Sequence, residues 1–368
     1  MAMRSWASTA WLALAFSLWS VRINAAAPEP QPEPRPEPQR TDLILDRPAA
    51  GDLAAPANGQ TLYILDESSG DILAIDPFEP TKRWIAVAAS EGKVAAGDPL
   101  AIGCIDTSML AVLTRAAAGW SIQTHRLQAG KAADPGSPAQ SVAIGRPPGS
   151  GVTPAPASAT GRPAGEDRPC LAVSPSRDWL AVCGLPAPLP AVLRAPIAGA
   201  RIGAVSARAC PILPAEVLPS AATISTAGEV VLFAPDRGSR APAGICVSFY
   251  LPPDPRRLLH LDTSLTTIRD AAFCRADGTL WVVGAGVAVA GSRGDTGSDG
   301  SPAAALEGLW RIDAVMRNER QSAEAVCIAR LDGARAVTCL SERAIIVTHG
   351  RDRRTVSRID PTQPASTP

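Results

Sequence analysis

Apolar and polar residues alternate along this chain in short bursts, at strand rather than helix spacing. Six times, an apolar stretch meets a tight polar turn, a second apolar stretch, a gap and a third stretch. In the clearest copy, Ala271-Ala272-Phe273-Cys274 reads as a strand and Arg275-Ala276-Asp277-Gly278 as a turn, since Asp-Gly supplies the positive φ of a hairpin. Thr279-Leu280-Trp281-Val282-Val283-Gly284 is a second strand rich in β-formers, and residues 309–313 are a third. Three copies end almost alike: Asp71-Ile72-Leu73-Ala74-Ile75-Asp76-Pro77, Leu309-Trp310-Arg311-Ile312-Asp313-Ala314 and Val356-Ser357-Arg358-Ile359-Asp360-Pro361.

The other copies begin near Asp52, Ala101, Cys170, Ala222 and Val337. Outer fourth strands are expected at residues 84–87, 141–144, 258–261 and 325–328, with a weak one at 201–205. The last copy has no residues left for a fourth strand. Leu43-Ile44-Leu45-Asp46 stands alone before the first copy, so it is expected to pair with residues 356–360 and hide two sheet edges. Self-similarity at a period of about 40–65 residues, in strand-length units, predicts an all-β, six-bladed β-propeller closed by an N-terminal strand on the last blade. A seven-bladed arrangement with a degenerate unit in residues 129–169 is the alternative. Ser174-Pro175-Ser176-Arg177-Asp178-Trp179-Leu180-Ala181-Val182 resembles the turn-and-strand signature of TolB-like and WD-type blades, and the whole repeat region resembles the NHL and TolB-like propellers. No Trp-Asp pair closes a strand as in WD repeats.

Residues 146–169 and 284–308 are rich in Pro, Gly, Ser, Thr and Ala and are expected to be loops. One joins an outer strand to the next inner strand, the other joins strands two and three of a blade. Strands alternate in direction, so both emerge on one face, where a propeller binds its partners. The tight turns at Asn58-Gly59, residues 175–178 and Asp277-Gly278 fall on the other face.

Ahead of the repeats, Arg4, an apolar run from Ala10 to Val21 and the small residues Ala25, Ala26 and Ala27 have the layout of a secretory signal peptide. About 12 apolar residues are too few for a bilayer, which needs ~20 in a helix. A stretch with proline at every second position follows and is expected to be an extended spacer. The expected boundaries are a signal peptide at 1–26, a Pro-rich disordered spacer at 27–41, the propeller at 42–362 and a disordered tail at 363–368. Export to the periplasm or the exterior follows, with no transmembrane segment after cleavage.

The 35 Lys and Arg residues balance 35 Asp and Glu, so no whole-chain field gathers nucleic acid. Eight cysteines in an exported chain make disulfides possible. Cys170 and Cys183 are equidistant from a turn between Ser176 and Arg177, so they face each other in an antiparallel hairpin and are a candidate bridge. Cys104, Cys274 and Cys339 recur near the end of innermost strands, which packing of a small side chain explains. No C-x-x-C pair is present, so neither a zinc site nor a redox dithiol is implied, and no metal or other cofactor is expected.

No G-x-S-x-G elbow, P-loop or dinucleotide fingerprint appears. Asn58 and Asn318, the only asparagines after the leader, do not suit the metal-binding channel of gluconolactonase-like propellers. The candidate binding residues form a mixed-charge rim on the long-loop face: Asp66, Glu67 and Asp71 from the first blade, with His349, Arg351, Asp352 and Arg353 from the last. His349 is the one acid/base candidate there. The reading is a binding or scaffold module for a protein or cell-surface glycan. The alternatives are a metal-assisted lactonase or lyase and a structural envelope protein.

Overall fold

The computed structural model describes residues 38–45, 51–56, 58–79, 81–88, 98–116, 119–128, 130–134, 137–144, 169–185, 192–208, 219–235, 242–247, 265–274, 279–286, 306–312, 325–341 and 344–364. Among them there are strands, turns and loops and no helix, hence no helix long and apolar enough to cross a membrane. The expected signal peptide, most of the spacer, the Asp277-Gly278 turn, residues 258–261 and most of both long insertions lie outside the described residues.

The strands form small antiparallel sheets in chain order. β1 (Pro38–Ile44) stands apart from the first sheet, which holds β2 (Leu53–Ala54), β3 (Leu62–Leu65), β4 (Ile72–Ile75) and β5 (Arg83–Val87). The second sheet holds β6 (Asp98–Asp106), β7 (Met109–Ala116), β8 (Gly119–Arg126) and β9 (Gln140–Ile144). The third holds β10 (Cys170–Val173), β11 (Trp179–Cys183) and β12 (Val192–Ala198). Its outer edge is shared by two short pieces, β13 (Arg201–Ile202) and β14 (Ser206–Arg208), both paired with β12. That split is why the sequence signal at 201–205 is weak. The fourth holds β15 (Ala221–Ile224), β16 (Val230–Pro235) and β17 (Pro242–Val247). The fifth holds β18 (Leu265–Phe273), β19 (Leu280–Gly286), β20 (Leu306–Ile312) and β21 (Ala325–Arg330). The last holds β22 (Ala336–Ser341), β23 (Ala344–His349) and β24 (Thr355–Pro364), and β1 lies on β24 with Leu43 opposite Val356.

Successive sheets stack on one another in a propeller-like arrangement. The first strands β2, β6, β10, β15, β18 and β22 touch one another in sequence, and β22 also touches β2. Side chains alternate across each sheet, so one strand supplies two cores. In β19, Leu280 and Val282 pack towards the fourth sheet, while Trp281 and Val283 pack towards the last. The last and first sheets share a core in the same way, through Ala344, Ile346, Leu62 and Ile64. All of β23 is buried, as expected for a strand covered on both faces.

Several boundaries differ from the sequence expectation: β6 and β18 start earlier, at Asp98 and Leu265, and β21 runs on to Arg330. β1 begins at Pro38, inside the expected spacer, because Pro38 is the first residue of an edge strand and its missing N–H leaves no interior ladder bond unmade. β24 runs on to Pro364, past the expected end at 362, to meet the start of β1, with Pro38 opposite Pro364. Residues 284–286 and 306–308 extend β19 and β20 rather than belonging to the insertion; Gly284 and Gly308 pair there. A side chain on either glycine would collide with backbone of Thr267 or Ala329, so close strand approach, and not loop freedom, accounts for these glycines.

Candidate functional site

The first strands of the sheets enclose a cavity of about 490 Å³. Every other backbone N–H of an innermost strand points away from its own sheet and needs an acceptor. At three boundaries a side chain of the preceding sheet supplies one. Asp52 accepts from its neighbour Leu53 N–H at 2.8 Å and from Ile102 N–H, in the next sheet, at 2.8 Å. Asp270 repeats the arrangement: one oxygen takes Ala271 N–H at 2.8 Å and the other takes Val337 N–H of the next sheet at 2.8 Å. Between them in the ring, the Cys170 sulfur accepts from the backbone of Ala222. The first, third and fifth sheets thus each present one acidic group to the cavity, and each group is tied to the sheet that follows.

These three groups feel one another. Burial, then the charge of Asp52, pushes Asp270 up to about 8, against the pull of the Val337 and Ala271 amides and of Arg335. Asp270 is half-buried and part of its surface lines the cavity. Burial and then the carboxylates of Asp270 and Asp52 push the Cys170 thiol far above its usual range, opposed by Ala222 N–H. Burial beside the Asp52 carboxylate thus favours the protonated form of Asp270, which is hydrogen-bonded and faces a cavity.

Arg177 lines the tight-turn end. It stands in the turn after β10 with φ of 65°. Its guanidinium donates to Ala55 O of the first sheet at 2.7 Å and to Cys104 O of the second. At the opposite end, Arg269 donates to Glu307 at 2.6 Å and to Ala334 O at 3.0 Å. Glu307 also takes Gly333 N–H at 2.5 Å, and the Arg269 hydrogen bond outweighs partial burial to hold its carboxyl below the usual range.

The expected rim residues meet only in part. Asp66 is fully buried, and its carboxylate accepts from Ser68 N–H at 2.9 Å and Ser68 Oγ at 2.6 Å, shaping the β3–β4 turn. Glu67 and Arg353 do come together across the first and last sheets, at 2.8 Å. Asp71 shares the Asp66 turn through its backbone, Arg351 is exposed, and Asp352 caps its own turn at Arg354 N–H. His349 lies apart from them, buried at the end of β23. Its Nε2 is 2.6 Å from Ser357 Oγ, which donates in turn to Asp42 of β1, and Arg40 approaches Nε2 at 3.3 Å. Burial first, then Arg40, lowers the His349 pKa, with Asp42 and Asp332 opposing. In Asp42, burial works upward but the Arg40 and Ser357 hydrogen bonds prevail and the pKa falls.

Cys170 pairs with Cys183 in the β10–β11 register, as the symmetry about Ser176 and Arg177 predicts. Among the described residues, no three His, Cys, Asp or Glu side chains converge in a way that could hold a metal ion. The sequence reading missed Asp52, Asp270 and Arg177 as cavity residues. One signal for the carboxylates is present: in two copies an aspartate stands directly before the short apolar run of the innermost strand, in Asp52-Leu53-Ala54-Ala55 and Asp270-Ala271-Ala272-Phe273.

No family model and no curated protein matches the sequence. Solved structures do. A candidate oxidoreductase of the glucose dehydrogenase type from Thermus thermophilus is 16% identical, with a TM-score of 0.50 over 88% of this chain and 99% of that one. A candidate gluconolactonase is 10% identical, with a TM-score of 0.50 over 88% and 92% of the two chains. At such identity the likeness shows the propeller-like fold and nothing of activity.

Proposed function

We propose that the chain is an exported six-bladed β-propeller, closed by β1 on the last sheet, that recognises a cell-surface glycan or protein on its long-loop face. The observation that carries the reading is the cavity of about 490 Å³ enclosed by the innermost strands. Its size suits one sugar-sized unit. Its wall mixes apolar residues with Asp52, Asp270, Ser220, Thr223 and Thr338, which suits a ligand rich in hydroxyl groups. A glycan terminus is therefore the partner that the cavity favours. Export rests on the N-terminal layout of residues 1–27. A Cys170–Cys183 bridge belongs to the same reading, on the strength of their register.

Calorimetry of the purified chain with cell-wall oligosaccharides tests it. Binding that weakens at least tenfold in Asp270→Asn, and that fails when residues 146–168 and 287–305 are removed, supports the assignment. Oligosaccharide binding untouched by all of these changes overturns it.

One observation favours a second reading, as a lactonase- or lyase-type enzyme. Asp270 lines the cavity, and burial beside Asp52 raises its pKa in the direction that a general acid needs. Turnover of a lactone or uronide panel with a pH limb that disappears in Asp270→Asn would establish it. A panel with no turnover by the wild-type chain rejects it.

A further inference from the structure

We propose that Cys274 and Cys339 form a disulfide that staples the fifth sheet to the last. The two belong to successive repeats, and their sulfurs lie 2.7 Å apart. A disulfide bond measures roughly 2.05 Å, so a small side-chain adjustment joins them. Cys274 directly follows β18 and Cys339 lies within β22, strands that already touch along their length.

The rest of this seam explains why the sulfurs stay within reach. At one end, Arg269 of β18 holds Ala334 O and Glu307 holds Gly333 N–H. In the middle, Asp270 of β18 holds Val337 N–H of β22. The cysteine pair occupies the remaining end. Other partners are less suited. Cys327 packs against the core between the fourth and fifth sheets, whereas Cys274 belongs to the core between the fifth and last. The Cys104 thiol faces Asp106 O at 3.0 Å.

Access sets the order of events. Cys274 is 5% exposed, while Cys339 is half-buried and lines the cavity. The Cys339 thiolate attacks one sulfur of a small disulfide such as oxidised glutathione, and one glutathione thiolate leaves. Cys274 then loses its proton to solvent, and its sulfur displaces the second glutathione from Cys339. The cysteine pair loses two electrons and two protons, and the small disulfide becomes two thiols.

The test uses the native full chain and depends on no ligand. The protein is treated with oxidised glutathione, alkylated, digested with trypsin and mapped by mass. Cleavage at arginine places Cys274 in residues 270–275, Cys339 in 336–343 and Cys327 in 321–330. A cross-link between 270–275 and 336–343 is expected. Closing a loop of this length raises the melting temperature by roughly 5–15 °C over the reduced protein. Cys274→Ser and Cys339→Ser each abolish that reductant-dependent shift. Complete alkylation of both peptides after oxidation, or a link from either to 321–330, overturns the proposal.

Discussion

At the rim, Asp66 folds its carboxylate into its own turn and Glu67 meets Arg353 across a sheet boundary. In the cavity, Asp52 and Asp270 each accept one amide from their own strand and one from the next sheet. Both regions are rich in acid groups, but they put them to different use. Rim carboxylates complete local loops or form partly buried ion pairs. Cavity carboxylates join neighbouring sheets while still facing open space, so one residue couples the ring's integrity to whatever enters it. A charge cluster in sequence is thus a weaker sign of a site than a single acid on an innermost strand.

Removal of the two kinds of acid separates them. Asp270→Ala leaves the Val337 and Ala271 amides without their acceptor, and is expected to cost about 1–3 kcal/mol in chemical denaturation. Asp66→Ala is expected to cost about 1 kcal/mol, the loss of a turn-shaping acceptor. Glu67→Gln is expected to cost under about 1 kcal/mol, as its pair with Arg353 is partly solvated. Equal losses for Asp270 and Glu67 would erase the distinction.

The pH dependence sharpens it further. Asp270 has a folded pKa above its unfolded value, so the native state binds more protons and stability falls as pH rises from about 4 to about 8. Asp270→Asn should flatten that limb in urea melts taken across this range. His349 has a folded pKa below its unfolded value of about 6.5, so its contribution is complete above that and is lost as pH falls. His349→Gln should flatten the acid limb and leave the other in place. An unchanged acid limb would mean that the Asp42–Ser357–His349 chain does not govern how β1 is held.

Much of the fold was legible because strand alternation and hairpin turns are local. The β10–β11 register follows from counting outward from Ser176 and Arg177. The start of β1 was not legible, because what permits a strand at Pro38 is an edge position created by β24, more than 300 residues away. The cavity residues escaped for a similar reason. Asp52 and Ile102 meet only once two sheets stand side by side, and no local pattern marks an amide that lacks an acceptor. Proximity in sequence to Arg351 and Arg353 puts His349 on the rim. The strand carries it instead beneath β1, against Ser357.

Alternation within β19 sends Leu280 and Val282 one way and Trp281 and Val283 the other, so no sheet owns a hydrophobic interior of its own. A truncated chain lacking one repeat would therefore bare two greasy surfaces at once and could not survive as a shorter array. Partial unfolding intermediates should be scarce, and the molecule should melt as a single unit despite its modular origin.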